Sequence, residues 1–249
     1  MRIRLAILTA VVLLALSWRV PGASAAAEIH RSSIVLSAVP TQINASDFNS
    51  VIEFVNKTAL EPRGLAPLKK IQFSFLFDAE LRYFVRQNVA VSFGASQLKA
   101  RSQQEYLPSI GQSIVLSASM TSVPVHAGAA YYLAPYNQGD FQARAFFGAG
   151  LSSLVYNRAT IQVSSTGIIP DPSVRTTGTN DAPGYYLEFG GHMFFAARYS
   201  VILSALYRSH VVRNMIEEDT GQRMLDPQGK PLTLDTGGAG FRMAMAVGL

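Results

Sequence analysis

The chain has 249 residues, with 21 Lys+Arg against 16 Asp+Glu and no Cys. Without Cys there is no disulfide framework, so the fold must rest on burial and on its own hydrogen bonds. No basic patch with interleaved aromatics occurs, which argues against a nucleic-acid partner.

The N-terminus reads as an export signal. Arg2 and Arg4 precede an apolar run from Leu5 to Leu16, interrupted only by Thr9. Pro21-Gly22 then breaks any helix, and Ala23-Ser24-Ala25 has the small-x-small form of a cleavage site. The run is too short to cross a bilayer, and no Cys follows Ala25 to accept a lipid. Residues 1–25 are therefore expected to be a signal peptide and 26–249 a single domain. Cleavage would remove Arg2, Arg4 and Arg19 and no acid, lowering Lys+Arg from 21 to 18 against 16 acids. The one Trp, Trp18, would leave with them.

Along the rest of the chain the organising pattern is period-two alternation, the mark of strands with unlike faces. The first predicted strand, 29–39, is the weakest. A long connection, 40–70, follows, in which Asp47 can cap a helix running to about Lys57. Phe48, Val51, Ile52 and Val55 form its apolar stripe, which must cover the barrel rim, the mouth or the outer leaflet. The clearest strand is 71–85. Its odd positions include Ile71, Phe73, Phe75, Phe77, Leu81 and Val85, and its even positions include Asp78, Glu80 and Arg82. Further strands are predicted at 89–106, 113–133, 141–161, 185–197, 201–216 and 238–249. In 113–133 the apolar parity changes between Met120 and Val123, which predicts a bulge. Arg223–Leu225 and Pro231–Leu234 flank Asp226-Pro227-Gln228-Gly229, a hairpin turn signal. Ten strands result if that hairpin joins the wall.

The connections alternate in length. Arg86–Asn88, Ala134–Asp140 and Arg198–Ser200 are short, whereas Pro40–Lys70, Leu107–Gln112, Val163–Gly184 and Glu217–Gly237 are mostly longer. Membrane barrels have short periplasmic turns and longer outer loops. Tyr83, Phe84, Tyr131, Tyr132, Tyr136, Phe141 and Tyr199 lie by the short turns, and Tyr106, Tyr185 and Tyr186 by the far strand ends. Two aromatic girdles are expected from this placement. The fold class is thus all-β: a transmembrane antiparallel up-and-down barrel of eight strands, with a short helix in the first outer loop.

The last segment places Phe241, Met243, Met245, Val247 and Leu249 at alternate positions. It resembles the C-terminal β-signal of outer-membrane barrels, although Leu249 stands where an aromatic residue is usual. The pattern as a whole resembles the small barrels of the OmpA, OmpX, OmpW and opacity-protein type. The resemblance implies residence in the bacterial outer membrane, contact with its lipid and lipopolysaccharide, and insertion by the barrel assembly machinery as a monomer.

With odd positions of the 71–85 strand facing lipid, Asp78, Glu80, Arg82, Arg144, Glu188, Arg208 and Arg242 are expected in the lumen, joined by His126, His192 and His210. Buried charges must pair or keep water, so three carboxylates against four guanidinium groups predict an ion-paired, plugged interior or a constriction in a narrow path. The three His lack HxxxH or HxH spacing, so no metal and no cofactor is expected. Ser209-His210 is the best candidate catalytic pair, but adjacent strand residues point to opposite faces. The expected function is a non-enzymatic structural or surface-interaction barrel acting through its outer loops. A narrow porin-like channel for ions or small solutes is the alternative, and a lipid-modifying enzyme comes third.

Overall fold

The computed structural model describes residues 30–107, 111–138, 141–166, 174–195 and 198–249. The expected signal peptide, residues 1–25, lies outside them. Among the described residues eight long strands form a ring: β1 (Ser32–Gln42), β2 (Phe73–Arg86), β3 (Val89–Tyr106), β4 (Ser113–Tyr132), β5 (Phe141–Thr166), β6 (Ala182–Phe195), β7 (Tyr199–Val212) and β8 (Gly238–Gly248). Each pairs antiparallel with its neighbours in sequence, and β8 closes on β1 through Ser33–Gly248 to Thr41–Gly240. Closure satisfies every strand edge in the wall, which an open sheet in an apolar medium could not do.

The alternation of side chains decides the faces. On β2, Phe73, Phe75 and Phe77 are exposed, while Leu76, Asp78, Glu80, Arg82 and Phe84 are buried inside. Val91, Phe93, Phe147, Leu151, Leu187, Phe189, Leu203, Phe241, Met243 and Met245 continue the exposed apolar surface round the barrel. Phe241, Met243 and Met245, part of the alternating C-terminal set, belong to this belt; Leu249 is exposed beyond β8 and Val247 is half-buried.

The parity change in β4 has a different cause from the one expected. Even positions from Leu116 to Tyr132 point inward throughout. What reverses is polarity: near the loop end the interior is apolar (Leu98, Leu116, Met120) and the exterior polar (Lys99, Arg101, Thr121). The strands there stand clear of the apolar belt. A register irregularity does occur at Val123–Pro124, and it skips Val155, so the extra residue sits in β5 rather than β4.

Several aromatics also leave the expected girdles. Phe84, Tyr106, Tyr132 and Tyr186 are buried and inward, while their neighbours Tyr131 and Tyr185 face out with Tyr136 and Tyr199. Consecutive strand residues take opposite faces, so a pair such as Tyr131-Tyr132 cannot serve one girdle.

The first loop carries α1 (Ser46–Val55), which continues through Asn56–Leu60. Asp47 does not cap it. Ala45 is the capping residue, and the Asp47 carboxylate instead accepts the Thr233 backbone N–H at 3.2 Å, tying the first loop to the last. Phe48 and Ile52 are fully buried in one apolar cluster with Leu60, Leu68, Leu76, Leu98, Met120, Met215, Leu232 and Leu234. The stripe therefore covers the interior of the mouth. Asn56 holds the descending chain by exchanging two bonds with Leu68, at 2.8 and 2.9 Å.

Described parts of the third and last outer loops form short sheets above the wall. Val174–Thr179 pairs with β5, Ile216–Glu217 with Val174–Thr179, and Leu234–Asp235 with β7. The Asp226–Gly229 turn closes on a Leu225–Pro231 bridge, with the Asp226 carboxylate accepting the Gln228 and Lys230 N–H groups. That hairpin adds no strand to the wall. At the opposite end Tyr136–Gln138 folds back on Phe141–Ala143 within a short connection.

Candidate functional site: an ionic cluster in the lumen

The interior has three layers. At the short-turn end Val35, Phe84, Ala130, Tyr132, Phe146, Phe194 and Ile202 form an aromatic-rich apolar floor. The α1 cluster forms the apolar roof. Between them lies a set of ionised side chains, buried to the point that Arg82, Arg242 and Glu80 are only 2–3% exposed.

Arg242 is the hub. Its Nη2 donates to Asp78 at 2.7 Å and to Glu80 at 3.3 Å, its Nη1 to Glu80 and Glu188 at 3.3 Å, and its Nε to Ser37 at 3.0 Å. Arg82 donates Nε–H to Glu80 at 2.7 Å and Nη1–H to the Tyr132 hydroxyl at 2.8 Å, and lies 3.7 Å from Glu188. Asp78 also accepts from Ser37 at 3.1 Å, Ser96 at 2.8 Å and His126 Nε2 at 2.8 Å; Glu188 accepts from Ser204 at 2.6 Å. Such saturation of every carboxylate is what makes buried ions tolerable. The planar guanidinium suits the hub because it donates in several fixed directions at once.

The register shows how the charges fit. Asp78, Glu80 and Arg82 face Ser96, Gly94 and Ser92 across the ladder; Glu188 faces Gly148 and Arg242 faces Ser204. An eight-stranded lumen has little more than side-chain room, so each long ion is set beside a small residue. The alternating Ser92-x-Gly94-x-Ser96 opposite Asp78-x-Glu80-x-Arg82 is a sequence signal of this arrangement that alternation of polarity alone does not reveal.

Two of the seven expected network residues lie apart. Arg144 donates to the backbone carbonyls of Leu133 and Gln87, so it clamps the short-turn end. Arg208 donates to Thr41 Oγ1 at 3.0 Å and has no ion-pair partner among the described residues. The cluster is therefore built on two guanidinium groups and His126, not on four guanidinium groups.

The three His do not converge. The Tyr132 hydroxyl accepts Arg82 Nη1–H and lies 3.1 Å from His192 Nδ1, and His192 Nε2 pairs with the Ser200 hydroxyl at 2.7 Å. His126 and His210 border a cavity of about 30 Å³ with Asp78, Ser152, Tyr186 and Arg208, room for about two waters. Asp78, Glu80 and His126 lie close enough to share an ion, but Arg242 already occupies both carboxylates. The partner of His210 is Ser152 at 2.7 Å, reached over Gly184 of the intervening strand β6 rather than next to it in sequence. His210 Nδ1 has no hydrogen-bond partner, so no carboxylate orients the ring.

An apolar outer belt round an ionic lumen inverts the polarity of a soluble barrel and defines the class: a membrane-spanning β-barrel. No helix among the described residues is long and apolar enough to cross a membrane. No protein-family model and no curated protein matches the chain. Among solved structures it is similar to Neisserial surface protein A, at 10% identity over 88% of this chain and 97% of that one, with a TM-score of 0.46. It is also similar to the N-terminal β-barrel domain of Pseudomonas aeruginosa OprF, at 11% identity over 88% and 98%, TM-score 0.34. A third is Ail of Yersinia pestis, solved with the heparin analogue sucrose octasulfate, at 14% identity over 87% and 96%, TM-score 0.39.

Proposed function

We propose that the chain is a bacterial outer-membrane barrel that does not conduct and acts as a structural or surface-interaction protein through its outer loops. The observation that carries this reading is the layering of the lumen: a saturated ionic cluster between an apolar roof and an aromatic floor. An ion crossing the barrel would have to displace Arg242 from three carboxylates and also pass two apolar layers, each costly to a desolvated charge. The absence of a carboxylate on His210 and the small size of the adjoining cavity support a non-enzymatic role. Export through a cleaved signal, insertion by the assembly machinery and a monomeric state belong to the same reading.

Single-channel recording in planar bilayers tests it. The mature chain should give no steady conductance step. Reproducible steps would refute the closed lumen and favour a narrow channel.

A further inference from the structure

We propose that the outer face of β3–β5, at the loop-side edge of the apolar belt, binds the phosphate of a lipid headgroup through Lys99 and Arg101, with Thr121 and Ser119 as hydroxyl donors. The proposal rests on the membrane-spanning reading above. Directly opposed residues of a ladder share a face, and the register sets Phe75, Lys99, Thr121 and Arg158 in one outward row, with Arg101 and Ser119 in the next. Lys99 and Arg101 are exposed, and among the described residues neither side chain has a hydrogen bond or ion pair. Arg158 is already compensated by Glu218, so the free positive charge of the patch comes from Lys99 and Arg101. The nearest acid outward on the same face of β3 is Glu105. It lies about 13 Å further along the strand, beyond a physiological Debye length of about 8 Å.

The position favours a lipid over a soluble anion. From Val91 to Lys99 the strand rises about 26 Å, or about 20 Å along the barrel axis at a tilt near 40°, close to the ~25 Å height of a lipid-facing belt. Lys99 therefore stands where headgroups begin. Phe75 stands level with Lys99, Tyr156 lies one outward row toward the belt and Phe93 three outward positions down β3; all three are exposed on the outer wall and offer an apolar track for acyl chains. Two cations on one strand with hydroxyls opposite them on the next match a phosphate, which accepts several charge-assisted bonds at once.

Native mass spectrometry of the mature chain in detergent, incubated with lipid A, with dephosphorylated lipid A or with inorganic phosphate, tests the site. The wild type should retain lipid A in preference to both. The double variant Lys99→Gln, Arg101→Gln should weaken lipid A retention about 25-fold, from about 1 kcal/mol per basic side chain at a charged membrane surface. It should leave retention of the dephosphorylated lipid unchanged. Arg86→Gln, at the short-turn end, should change neither. Equal retention of lipid A by wild type and double variant overturns the site, as does equal retention of the two lipids by the wild type. Inorganic phosphate bound as tightly as lipid A overturns the lipid as its source. Protease protection in phosphatidylcholine vesicles separates the levels of failure: a chain that does not insert overturns both readings, whereas one that inserts without phosphate preference overturns only this one.

Discussion

Replacing Arg242 by Met tests whether the ionic cluster behaves as a single saturated unit. The substitution keeps the apolar stem and removes five donor contacts to Asp78, Glu80 and Glu188. Three buried carboxylates would then face Arg82 and His126 alone. Removing one partner of a buried ion pair costs about 3–5 kcal/mol, because the remaining charge keeps its desolvation penalty. With a urea dependence of about 2–3 kcal/mol/M for a chain of this size, the unfolding midpoint should fall by about 1.5 M. The one Trp lies in the expected signal segment, so far-ultraviolet circular dichroism in lipid vesicles is the readout, with the heat-dependent gel shift as a second probe. Adding Glu80→Gln should recover part of the loss, since it removes an uncompensated charge; couplings of about 0.5–3 kcal/mol are usual for residues in contact. A variant Arg242→Met with the wild-type midpoint would refute the cluster as described. So would a double variant less stable than the single one.

Other perturbations probe the layers separately. A Cβ at Gly150 would collide with the Tyr186 ring, whereas one at Gly191 meets nothing within 4 Å; Gly150→Ala should cost about 1–3 kcal/mol and Gly191→Ala far less in the same unfolding assay. Phe48→Ala removes a fully buried ring from the roof, at about 3–5 kcal/mol, and should expose the 44–70 segment to limited proteolysis while leaving the wall's dichroism intact. Glu53 accepts from Lys57 and Lys70, both at 2.8 Å, and this pairing holds its carboxyl at about 2. A depressed carboxyl contributes above its unfolded value, ~4.3, and loses the contribution as pH falls through about 2. The Glu53 resonance should therefore titrate near pH 2 and move toward the ordinary range in high salt, which screens exposed pairs; titration at the ordinary value in low salt would remove the pairing.

How far the sequence reaches differs from element to element. The wall was legible because alternation has a strict period of two: β3 begins and ends at the expected residues, and the other strands differ by a few positions at their ends. β7 stops at Val212 rather than 216, because the chain leaves the wall there and Met215 turns into the roof. The same rule placed Asp78, Glu80, Arg82, Glu188 and Arg242 inside. It could not say which of them touch. Arg144 and Arg208 share the inward parity but stand at other heights, and height depends on register between strands distant in sequence. Ser152 and His210 met for the same reason, 58 residues apart on β5 and β7.

The polarity of each strand face and the placing of the turns could be read from residue order, because both are local properties of a chain with period-two geometry. Where the apolar belt stops and which ions share a layer emerge once the strands are assembled in register. So does the place of α1, in the mouth rather than on the membrane. Each of these depends on the closure of β8 on β1, which fixes the relative height of every strand and brings Arg242 to Asp78 across 164 residues of chain.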